Sequence, residues 1–450
     1  MILLTASVVT LGCRLNQADS SLICDRLRKC GFEIVSEDSE ESPSLIVVNS
    51  CAVTETAAKK TRQTLKQLRH DHPYSYLVFT GCSANLLKKE DGNDNLEYDV
   101  LLSSDRKDEL ESLLARRFNI DKNRLKERAK AKEELENTSP VAEEVFREHA
   151  FAFTPFKHRA NLKIQDGCNN FCSYCIVPYT RGRERSRDVE EVIADFRNIV
   201  ASGFREVVLT GVNTCQYECG SLHITDLIGK LLKEVEGDYR IRIGSLEPGE
   251  RLFELIDYMA EEKRICNFLH VPLQSGSDTI LKAMGRKYTA DEYRKMALYA
   301  KKKIANVHLG CDYITGFPGE TKELFKESCD FIRELQFANV HVFPYSPRKG
   351  TPAAEMKGRP TAGEMSERIE ILKALKAECA AAFAKSLIGT ETTVIPERVC
   401  AAGIYEGYSS NYMKIRIASK EKDILGDLVK VRLTSISANN PELLGGKLIP

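Results

Sequence analysis

Residues 161–175 read NLKIQDGCNNFCSYC, an apolar strand pattern that runs directly into three closely spaced cysteines. The spacing Cys168-x3-Cys172-x2-Cys175 suits three ligands to one 4Fe-4S cluster, whose fourth iron then has no protein ligand. An open coordination position is typical of a catalytic metal centre. The alternative is that three structural thiols share this loop by chance. We favour a catalytic cluster because the cysteines directly follow a strand.

The same strand is the first of six that alternate with helical patterns. The strand candidates are NLKIQ, REVVLTG, YRIRIG, NFLHVPL, VHLGCDYITG and NVHVFPYS, between Asn161 and Ser346. Short apolar runs between helices indicate parallel βαβ units, and right-handed crossovers curl such units into a barrel. The sequence therefore predicts a partial (β/α)6 TIM-like barrel over residues 151–386, with its chemistry at the carboxyl ends of the strands.

Three further segments flank this barrel. Residues 1–120 again alternate apolar runs with amphipathic stretches, which predicts a small doubly wound α/β domain. Residues 121–150 are dense in both charges and poor in apolar side chains, which predicts a surface linker. A long helix from about Thr361 to Leu387 leads into short period-two segments, so residues 387–450 predict a small antiparallel β-barrel. The expected fold class is α/β with an appended β-barrel.

The composition excludes several other classes of protein. The chain has 450 residues, of which 42% are hydrophobic, so it is not a disordered protein. Lys plus Arg and Asp plus Glu both total 65, and this balance leaves room only for local basic patches on a polyanion-binding surface. Neither a signal peptide nor a membrane-spanning run is evident, so the 15 cysteines are expected to be reduced thiols or cluster ligands in the cytoplasm.

A second set of cysteines is dispersed along the first domain. Cys13, Cys51 and Cys82 each follow one of its predicted strands. A parallel sheet would bring all three to its carboxyl edge, where such sheets bind ligands. By position alone, a second open cluster site and three unrelated buried thiols are about equally supported.

Several motifs resemble the methylthiotransferase family of radical S-adenosylmethionine (SAM) enzymes. They are LGCRLNQADS, NSCAVTETA, TGCSAN, the CxxxCxxC loop, LHVPLQSGSDTILKAMGRKYT, DYITGFPGET and FPYSPRKGTPAAEM, and with the C-terminal segments they span nearly the whole chain. The resemblance implies that Cys168, Cys172 and Cys175 hold the 4Fe-4S cluster that binds SAM, and that the dispersed three cysteines hold an auxiliary 4Fe-4S cluster. It further implies that residues 387–450, which are similar to the TRAM module, bind RNA.

The resemblance also implies a set of SAM and substrate residues at the mouth of the barrel. These residues are Gly211, Asn213, Ser245, Glu247, His270 and Gln274. Their places at predicted strand ends agree with this, although a satisfied polar side chain in the barrel mouth is the alternative for any one of them. Two basic runs, 59–69 and 181–187, lie beside the two cysteine sets and are candidates for phosphate contacts or for ordinary solvated surface.

The implied reaction is the addition of a methylthio group to C2 of an adenosine in tRNA, through hydrogen abstraction by a radical derived from SAM. LGCRLNQ and NSCAVT are similar to the branch that acts on N6-threonylcarbamoyladenosine at position 37, so the anticodon loop of tRNA is the expected partner. A monomeric enzyme and an electron donor such as flavodoxin or ferredoxin are expected as well. The alternatives are isopentenyladenosine-37 or a ribosomal-protein aspartate as substrate and, in a different class, a non-catalytic iron-sulfur redox sensor that binds RNA.

Overall fold

The structure is a computed structural model that describes residues 4–36, 42–89, 96–103, 109–118, 158–419, 423–438 and 440–450. The charged segment 121–150, predicted to be a surface linker, lies outside these ranges. The described residues group into two compact units, each discontinuous in sequence. The first comprises the described residues before position 119 with Asp166–Cys168 and Ile176–Glu191; the second comprises 158–165, Asn169–Cys175 and Val192–Pro450.

The first unit is built on a parallel sheet. Its strands are β1 (Thr5–Thr10), β2 (Glu33–Ile34), β3 (Leu45–Ser50), β4 (Tyr76–Gly81) and β5 (Val100–Leu102), and helices α1 (Arg14–Lys29), α2 (Glu55–Asp71), α3 (Cys82–Lys89) and α4 (Leu110–Arg117) connect or follow them. The strand order is β2-β1-β3-β4-β5, and every pair is parallel. The central strand β3 is buried at every position, as expected where helices cover both faces of a sheet. The predicted α/β arrangement is confirmed here.

Helix α2 shows how the local sequence builds this unit. Thr54 caps its amino end, because the side-chain oxygen accepts a hydrogen bond of 3.1 Å from the Ala57 amide. The buried positions recur every three or four residues and so form one apolar face, made of Ala58, Thr61, Leu65 and Leu68. The two leucines of this face pack into the same core cluster as Ile46, Val48 and Leu77 of the sheet.

Residues 158–344 contain the strands and helices of the predicted barrel. The strands are β6 (Arg159–Lys163), β7 (Gln165–Asp166), β8 (Arg185–Ser186), β9 (Glu206–Thr210), β10 (Glu218–Cys219), β11 (Leu222–His223), β12 (Arg240–Ile243), β13 (Phe268–His270), β14 (His308–Thr315) and β15 (Asn339–Pro344). The helices are α5 (Val177–Arg181), α6 (Val189–Ala201), α7 (Ile224–Glu234), α8 (Glu250–Glu261), α9 (Asp278–Ala283), α10 (Ala290–Lys303) and α11 (Lys322–Leu335).

Six of these strands form the barrel wall, and they are the six that the sequence predicts. They pair as two parallel sheets, β12-β9-β6 and β13-β14-β15, and a parallel bridge between Ile241 and Ile265 joins the two. Because all strands run in one direction, their carboxyl ends lie at one end of the wall. Parallel sheets with intervening helices confirm the α/β prediction for the second unit. Within the described ranges, no helix combines the length and apolar character needed to cross a lipid bilayer.

The chain ends in a long helix and a closed β-barrel. Helix α12 (Ala362–Ser386) precedes strands β16 (Glu391–Ala401), β17 (Ile404–Ser409), β18 (Lys414–Ala418), β19 (Val429–Ser437) and β20 (Asn440–Leu448), which close in the order β16-β17-β18-β20-β19. The prediction of a purely antiparallel barrel is wrong on one point, since β18 and β20 pair in parallel. The reason is the strand order: β20 turns back from β19 and inserts beside β18, which runs in the same direction.

A buried ion-pair network fixes this barrel to the parallel strands of the same unit. The Glu206 carboxylate accepts bonds of 2.7 Å from both Arg240 Nε and Arg242 Nε. These arginines also donate to backbone carbonyls of the barrel, at Thr393 (2.9 Å) and Ser410 (3.0 Å). Burial raises the pKa of Glu206, but the two guanidinium groups outweigh it and hold that pKa well below its usual range. The network lies toward the amino ends of β9 and β12, so it does not occupy the carboxyl ends of these strands.

Candidate functional site

Three cysteines occupy the carboxyl edge of the parallel sheet in the first unit. Cys13 lies just beyond β1, Cys51 directly follows β3, and Cys82 directly follows β4 and begins α3. Strands β1, β3 and β4 are neighbours in that order and pair in parallel. The structure therefore places the three dispersed cysteines at adjacent strand ends.

Two glycines let the strand ends come this close. Gly12 and Gly81 each precede one of the cysteines and have φ angles of +105° and +93°, which L side chains rarely adopt. A Cβ atom on Gly12 would lie 2.6 Å from the Cβ of Cys51, and one on Gly81 would lie 2.5 Å from the amide nitrogen of Ser50. A larger residue at either position would force the cysteine loops apart.

The three thiols are close enough to influence one another electrostatically. Burial, reinforced by the negative charges of Cys82 and Cys13, raises the pKa of the Cys51 thiol to about 11. Burial also raises the pKa of Cys82, and the charge of Cys13 adds to that effect. Three neighbouring thiolates need compensating positive charge, and iron bound to thiolates supplies it. The donor set fits a 4Fe-4S cluster with three protein ligands.

Arg181, at the end of α5, is buried beside this cysteine set within the same unit. Its guanidinium group donates to both oxygens of Asp166 (3.1 Å each), to Asn16 Oδ1 (2.5 Å) and to Asp19 Oδ2 (3.1 Å). Burial lowers the pKa of Arg181, but the charges of Asp166, Cys82 and Asp19 outweigh it and raise that pKa well above its usual value. A permanent cation therefore lies in the field of the thiols.

Asn16 ties this arginine to the cysteine loops. Its side-chain amide donates to the carbonyl oxygens of Leu11 (2.7 Å) and Ser50 (2.8 Å), which precede Cys13 and Cys51. Because the same side chain accepts from Arg181, one fully buried residue connects two strand ends and the guanidinium group. The carboxyl edge of the sheet is thus held by hydrogen bonds in addition to strand pairing.

The structure corrects the prediction for the basic run 181–187. Arg183 and Arg185 are exposed, whereas Arg181 and Arg187 are only 8% and 1% exposed. Two of the four arginines are therefore buried within the protein and are not available to phosphate groups. In the run 59–69, Lys59, Lys60, Arg62 and Lys66 are exposed, so contacts of this run with RNA stay a prediction.

The CxxxCxxC loop follows β7. Cys168 belongs to the first unit, where its amide donates to the carbonyl oxygen of Gly182 (3.2 Å). Cys172 and Cys175 belong to the second unit, and the Cys175 amide donates to the Cys172 carbonyl (3.0 Å). Arg286 Nη1 lies 3.3 Å from the Cys172 Sγ and donates to it. A cation thus contacts a cysteine of each set.

A small cavity of about 110 Å³ opens beside Cys172 within the second unit. Its lining includes Asn213, Glu247, Arg286 and Tyr288. The Glu247 carboxylate forms an ion pair with Arg286, which also donates to the Tyr288 hydroxyl (3.1 Å). Burial raises the pKa of Glu247 above its usual range, and Arg286 partly offsets this. Two of the six predicted SAM residues therefore lie beside a cysteine of the loop, on one polar wall.

All six residues predicted for SAM or substrate follow or end barrel strands. Gly211 and Asn213 follow β9, Ser245 and Glu247 follow β12, His270 ends β13, and Gln274 follows it; of these only Asn213 and Glu247 line the cavity described above. Asn213 Oδ1 and Gln274 Oε1 are buried and have no hydrogen-bond partner among the residues that the structure describes. Buried acceptors without donors are costly, so they fit a site that binds a ligand with amino or hydroxyl groups.

Backbone strain marks the same strand ends. Ser245 and Gln274 have φ angles of +57° and +62°, in the left-handed region that favours glycine. Each such residue costs about 1–3 kcal/mol, and these conformations cluster at functional sites.

Gly211 leaves room for the Gln165 side chain, whose oxygen accepts from the amides of Val212 and Asn213 (2.9 Å each).

Sequence reasoning missed two residues of this arrangement and misread a third. Arg286 and Tyr288 lie in the quoted motif segment LKAMGRKYT, but no pattern separates them from other polar residues there. The sequence also does not distinguish the buried Arg181 from the exposed arginines of the same run. The Arg181 partners Asn16 and Asp19 lie more than 160 positions earlier in the chain, so no local signal reveals the contact.

The fold and the open three-cysteine loop define a radical SAM protein, and comparisons with known proteins agree. Residues 162–332 match the model of the radical SAM superfamily, and residues 5–103 match a family described as uncharacterized protein family UPF0004. A solved structure with a similar fold is the radical SAM methyltransferase TsrM from Kitasatospora setae, at a TM-score of 0.52 and 16% identity over 78% of this chain and 75% of that one.

Curated relatives extend over almost the full length. The chain is 36% identical to the threonylcarbamoyladenosine tRNA methylthiotransferase MtaB of Bacillus subtilis, over 95% of this chain and 93% of the relative. It is 33% identical to the tRNA-2-methylthio-N(6)-dimethylallyladenosine synthase of Carboxydothermus hydrogenoformans, over 95% and 96% respectively. The chain therefore belongs to the tRNA methylthiotransferase family of radical SAM enzymes. It is an enzyme that modifies tRNA and uses SAM and two 4Fe-4S clusters.

Proposed function

We propose that the enzyme attaches a methylthio group to C2 of N6-threonylcarbamoyladenosine at position 37 of tRNA. The structural observation that carries the methylthiotransferase assignment is the convergence of Cys13, Cys51 and Cys82 at one sheet edge, because it offers a second cluster site apart from the one proposed to bind SAM. The choice of nucleoside is supported by the relatives from Bacillus subtilis and Thermotoga maritima, whose printed names specify threonylcarbamoyladenosine.

The six cluster ligands are assigned as follows in this proposal. Cys168, Cys172 and Cys175 hold the cluster whose open iron binds SAM, which the spacing within eight residues supports. The three cysteines at the sheet edge hold the auxiliary cluster. When bound, these groups and SAM supply the methyl group, the sulfur site and the means of removing the C2 hydrogen. The protein holds and orients them.

Residues at the barrel mouth position SAM and the base in this proposal. Arg286 orients the loop through its contact with the Cys172 sulfur, and the Glu247 carboxylate in turn orients Arg286. The unpartnered oxygens of Asn213 and Gln274 accept from the amino or hydroxyl groups of the ligand. Gly211, Ser245 and His270 complete the set.

The C-terminal β-barrel is the RNA-binding TRAM module of this proposal, with the domain limits 1–120, 121–150, 151–386 and 387–450. Support comes from a basic patch: Arg398, Lys414 and Arg416 surround the buried carboxylate of Glu406 at 2.5–2.9 Å. Side chains of Arg398 and Arg416 are more than half exposed. Three cations on one anion leave a net positive surface that suits phosphate groups, although the barrel as a whole is nearly balanced.

The remaining parts of the proposal concern the cell. We expect a monomer in the cytoplasm that receives electrons from flavodoxin or ferredoxin. The 15 cysteines form no disulfide with one another, which suits a reducing compartment. The substrate is the anticodon loop, where a base leaves its stack more easily than in a duplex.

The deciding experiment is nucleoside mass spectrometry of total tRNA from a host that lacks this activity, with and without the gene. We expect 2-methylthio-N6-threonylcarbamoyladenosine only when the gene is present. A change in the isopentenyl nucleoside alone would favour the branch of the Carboxydothermus relative. If no tRNA nucleoside changes, a ribosomal-protein aspartate becomes the leading substrate.

A separate measurement tests the non-catalytic alternative. The reconstituted protein, reduced under anaerobic conditions, should cleave SAM to 5′-deoxyadenosine. A sensor that only binds RNA would leave SAM intact.

A further inference from the structure

Three polar side chains share one face of the second barrel sheet. His270 ends β13, Asp312 lies in β14 and His341 lies in β15. Strand register pairs His270 with Gly310 and Asp312 with His341, and positions 310 and 312 face the same side because side chains alternate along a strand. The residues on either side of Asp312, Cys311 and Tyr313, are fully buried on the opposite face. The three polar side chains therefore form one cluster on the other face of the sheet.

One carboxylate oxygen of Asp312 contacts both imidazole rings. Asp312 Oδ1 lies 3.0 Å from His270 Nε2 and 3.3 Å from His341 Nδ1, and the ring centroids are 5.1 Å apart. Burial raises the pKa of Asp312, but hydrogen bonds from the two rings outweigh it and hold that pKa below its usual range. Asp312 is therefore an anion that fixes the orientation of both rings.

The cluster is partly exposed to solvent, whereas an earlier residue on the same face of β14 is buried. Side-chain exposures are 20% for His270, 25% for Asp312 and 48% for His341. His308, earlier on the same face, is only 5% exposed and packs against Phe268 and Phe383. The solvent-exposed part of this face thus begins at the cluster and extends toward the carboxyl ends of the strands.

The cluster lies close to the residues proposed for SAM. The negative charge of Asp312 is near enough to raise the pKa of Glu247, which pairs with Arg286. The amide of Gln274 donates to the Asp312 carbonyl at 2.8 Å, so this residue borders the cluster directly. The cluster and the residues proposed for SAM therefore share the carboxyl ends of the barrel strands.

Two residues that contact the cluster have buried side-chain oxygens with no donor among the described residues. His341 Nε2 lies 3.0 Å from the Asn339 side-chain nitrogen, while the Asn339 oxygen has no partner among the residues that the structure describes. The same holds for the side-chain oxygen of Gln274. The cluster thus presents two imidazole rings and one carboxylate, with the Asn339 side chain beside it, which suits a ligand rich in donors and acceptors.

The two candidate nucleosides differ in this chemistry. A threonylcarbamoyl group carries ureido N–H groups, a hydroxyl and a carboxylate, whereas an isopentenyl group is a hydrocarbon. Covering a polar cluster with hydrocarbon leaves its groups desolvated and unpaired, and sites built for hydrogen bonding reject analogues that lack the partner groups. The cluster therefore favours the polar substituent.

We propose that His270, Asp312 and His341 form the subsite that receives the N6 substituent of the substrate adenosine and that this subsite selects a substituent with hydroxyl, ureido and carboxylate groups. His270, whose Nδ1 does not contact Asp312, binds the carboxylate as an imidazolium, and the side-chain oxygens of Asn339 and Gln274 accept from the ureido or hydroxyl groups. This inference rests on the proposed function and adds the residues that decide between its two tRNA substrates.

The test compares two tRNA anticodon stem-loops that carry either threonylcarbamoyladenosine or isopentenyladenosine at position 37. The reconstituted full-length enzyme is assayed for kcat and KM of methylthio product by mass spectrometry, as wild type, His341→Phe and Asp312→Asn. The control is His70→Phe, at a histidine whose side chain is 85% exposed on α2 in the first unit. Iron content and SAM cleavage without RNA report whether each variant is folded and loaded.

We expect wild type and the control to prefer the threonylcarbamoyl substrate. His341→Phe and Asp312→Asn should lose about ten- to a hundredfold in kcat/KM on that substrate, mainly through KM, because each leaves one or more polar partners unpaired. Activity on the isopentenyl substrate should stay the same or rise. SAM cleavage without RNA should fall by far less than kcat/KM on the threonylcarbamoyl substrate, because the subsite is proposed to contact the RNA substituent and not SAM.

Three outcomes would overturn the inference. Equal losses on both substrates would mean a structural role for the cluster. An unchanged KM for the threonylcarbamoyl substrate would mean that the cluster does not contact it. The three ligand atoms lie within 4.8 Å of one another, a spacing compatible with a divalent cation. A stoichiometric divalent metal other than iron, lost in Asp312→Asn together with the preference, would therefore assign the selection to that metal. If wild-type enzyme modifies neither RNA, the proposed function itself fails.

Discussion

Replacing Arg181 by Met should destabilise the first unit and change its auxiliary cluster. The guanidinium group makes four hydrogen bonds, three of them to the carboxylates of Asp166 and Asp19. The side chains of the three ionic partners are 5% (Arg181), 6% (Asp166) and 2% (Asp19) exposed, so removing the cation leaves two buried, uncompensated anions. Breaking a buried ion pair by removing one partner costs about 3–5 kcal/mol.

This loss is large against a typical domain stability of about 5–15 kcal/mol. For a domain of 150–250 residues, each kcal/mol lowers Tm by about 2–4 °C, so we expect a drop of roughly 6–20 °C for the unit that contains Arg181. Calorimetry of apo and reconstituted protein measures it. A loss below about 1 kcal/mol, as for an exposed ion pair, would refute the reasoning.

The charge of Arg181 should also be visible in the auxiliary cluster. A nearby cation stabilises the more negative, reduced state, so Arg181→Met should lower the midpoint potential. A tenfold change in the equilibrium constant of a one-electron couple corresponds to about 59 mV. The measurement uses enzyme in which the three loop cysteines are replaced by Ala, so that only the auxiliary cluster remains. Arg181→Lys keeps the charge and is the control. An unchanged potential in Arg181→Met with retained cluster would contradict this assignment.

Three further changes test other parts of the structure. Glu206→Gln removes the anion between Arg240 and Arg242 and should cost about 3–5 kcal/mol in urea unfolding; wild-type stability would show that the network contributes nothing. Cys82→Ser should lower bound iron by about half while the enzyme still cleaves SAM, and normal methylthio product from it would reject Cys82 as a ligand. Burial raises the pKa of Glu406, but Lys414 and the two neighbouring arginines lower it to about 2, below the unfolded value of about 4.3. Its contribution to stability should therefore be complete above about pH 4.5 and be lost as the pH falls toward 2, and Glu406→Gln should remove this part of the acid sensitivity in unfolding curves.

The sequence predicts the barrel strands well because their signal is local. Each of the six carries Val, Ile, Leu or Phe at successive or alternate positions between helical patterns, a composition typical of strands in a parallel sheet. Strands β2 and β5 of the first unit are only two and three residues long, which is too short for this signal, and the sequence does not predict them. They form because the edges of the sheet offer free backbone groups, which is a property of the assembled sheet.

The sequence also predicts that Cys13, Cys51 and Cys82 lie at one edge of the sheet, because the strands that precede them are parallel. Parallel strands bring their carboxyl ends to one edge, so residues after β1, β3 and β4 meet although up to 69 positions separate them. The same rule locates Asn213 and Glu247 at the barrel mouth. This rule predicts which end of a strand a residue occupies, but it predicts neither the partner of a side chain nor its burial.

Within RGRERSR the sequence shows four equivalent arginines at alternate positions, and only the tertiary structure separates buried Arg181 and Arg187 from exposed Arg183 and Arg185. Likewise, nothing local joins His270 to Asp312 and His341, which strand register brings together on one face. The sequence by itself determined the strands, the cysteine loop and the family motifs, because local spacing and backbone periodicity encode them. The tertiary structure decided the polar networks, because the free energy of a buried charge depends on partners that arrive from distant parts of the chain.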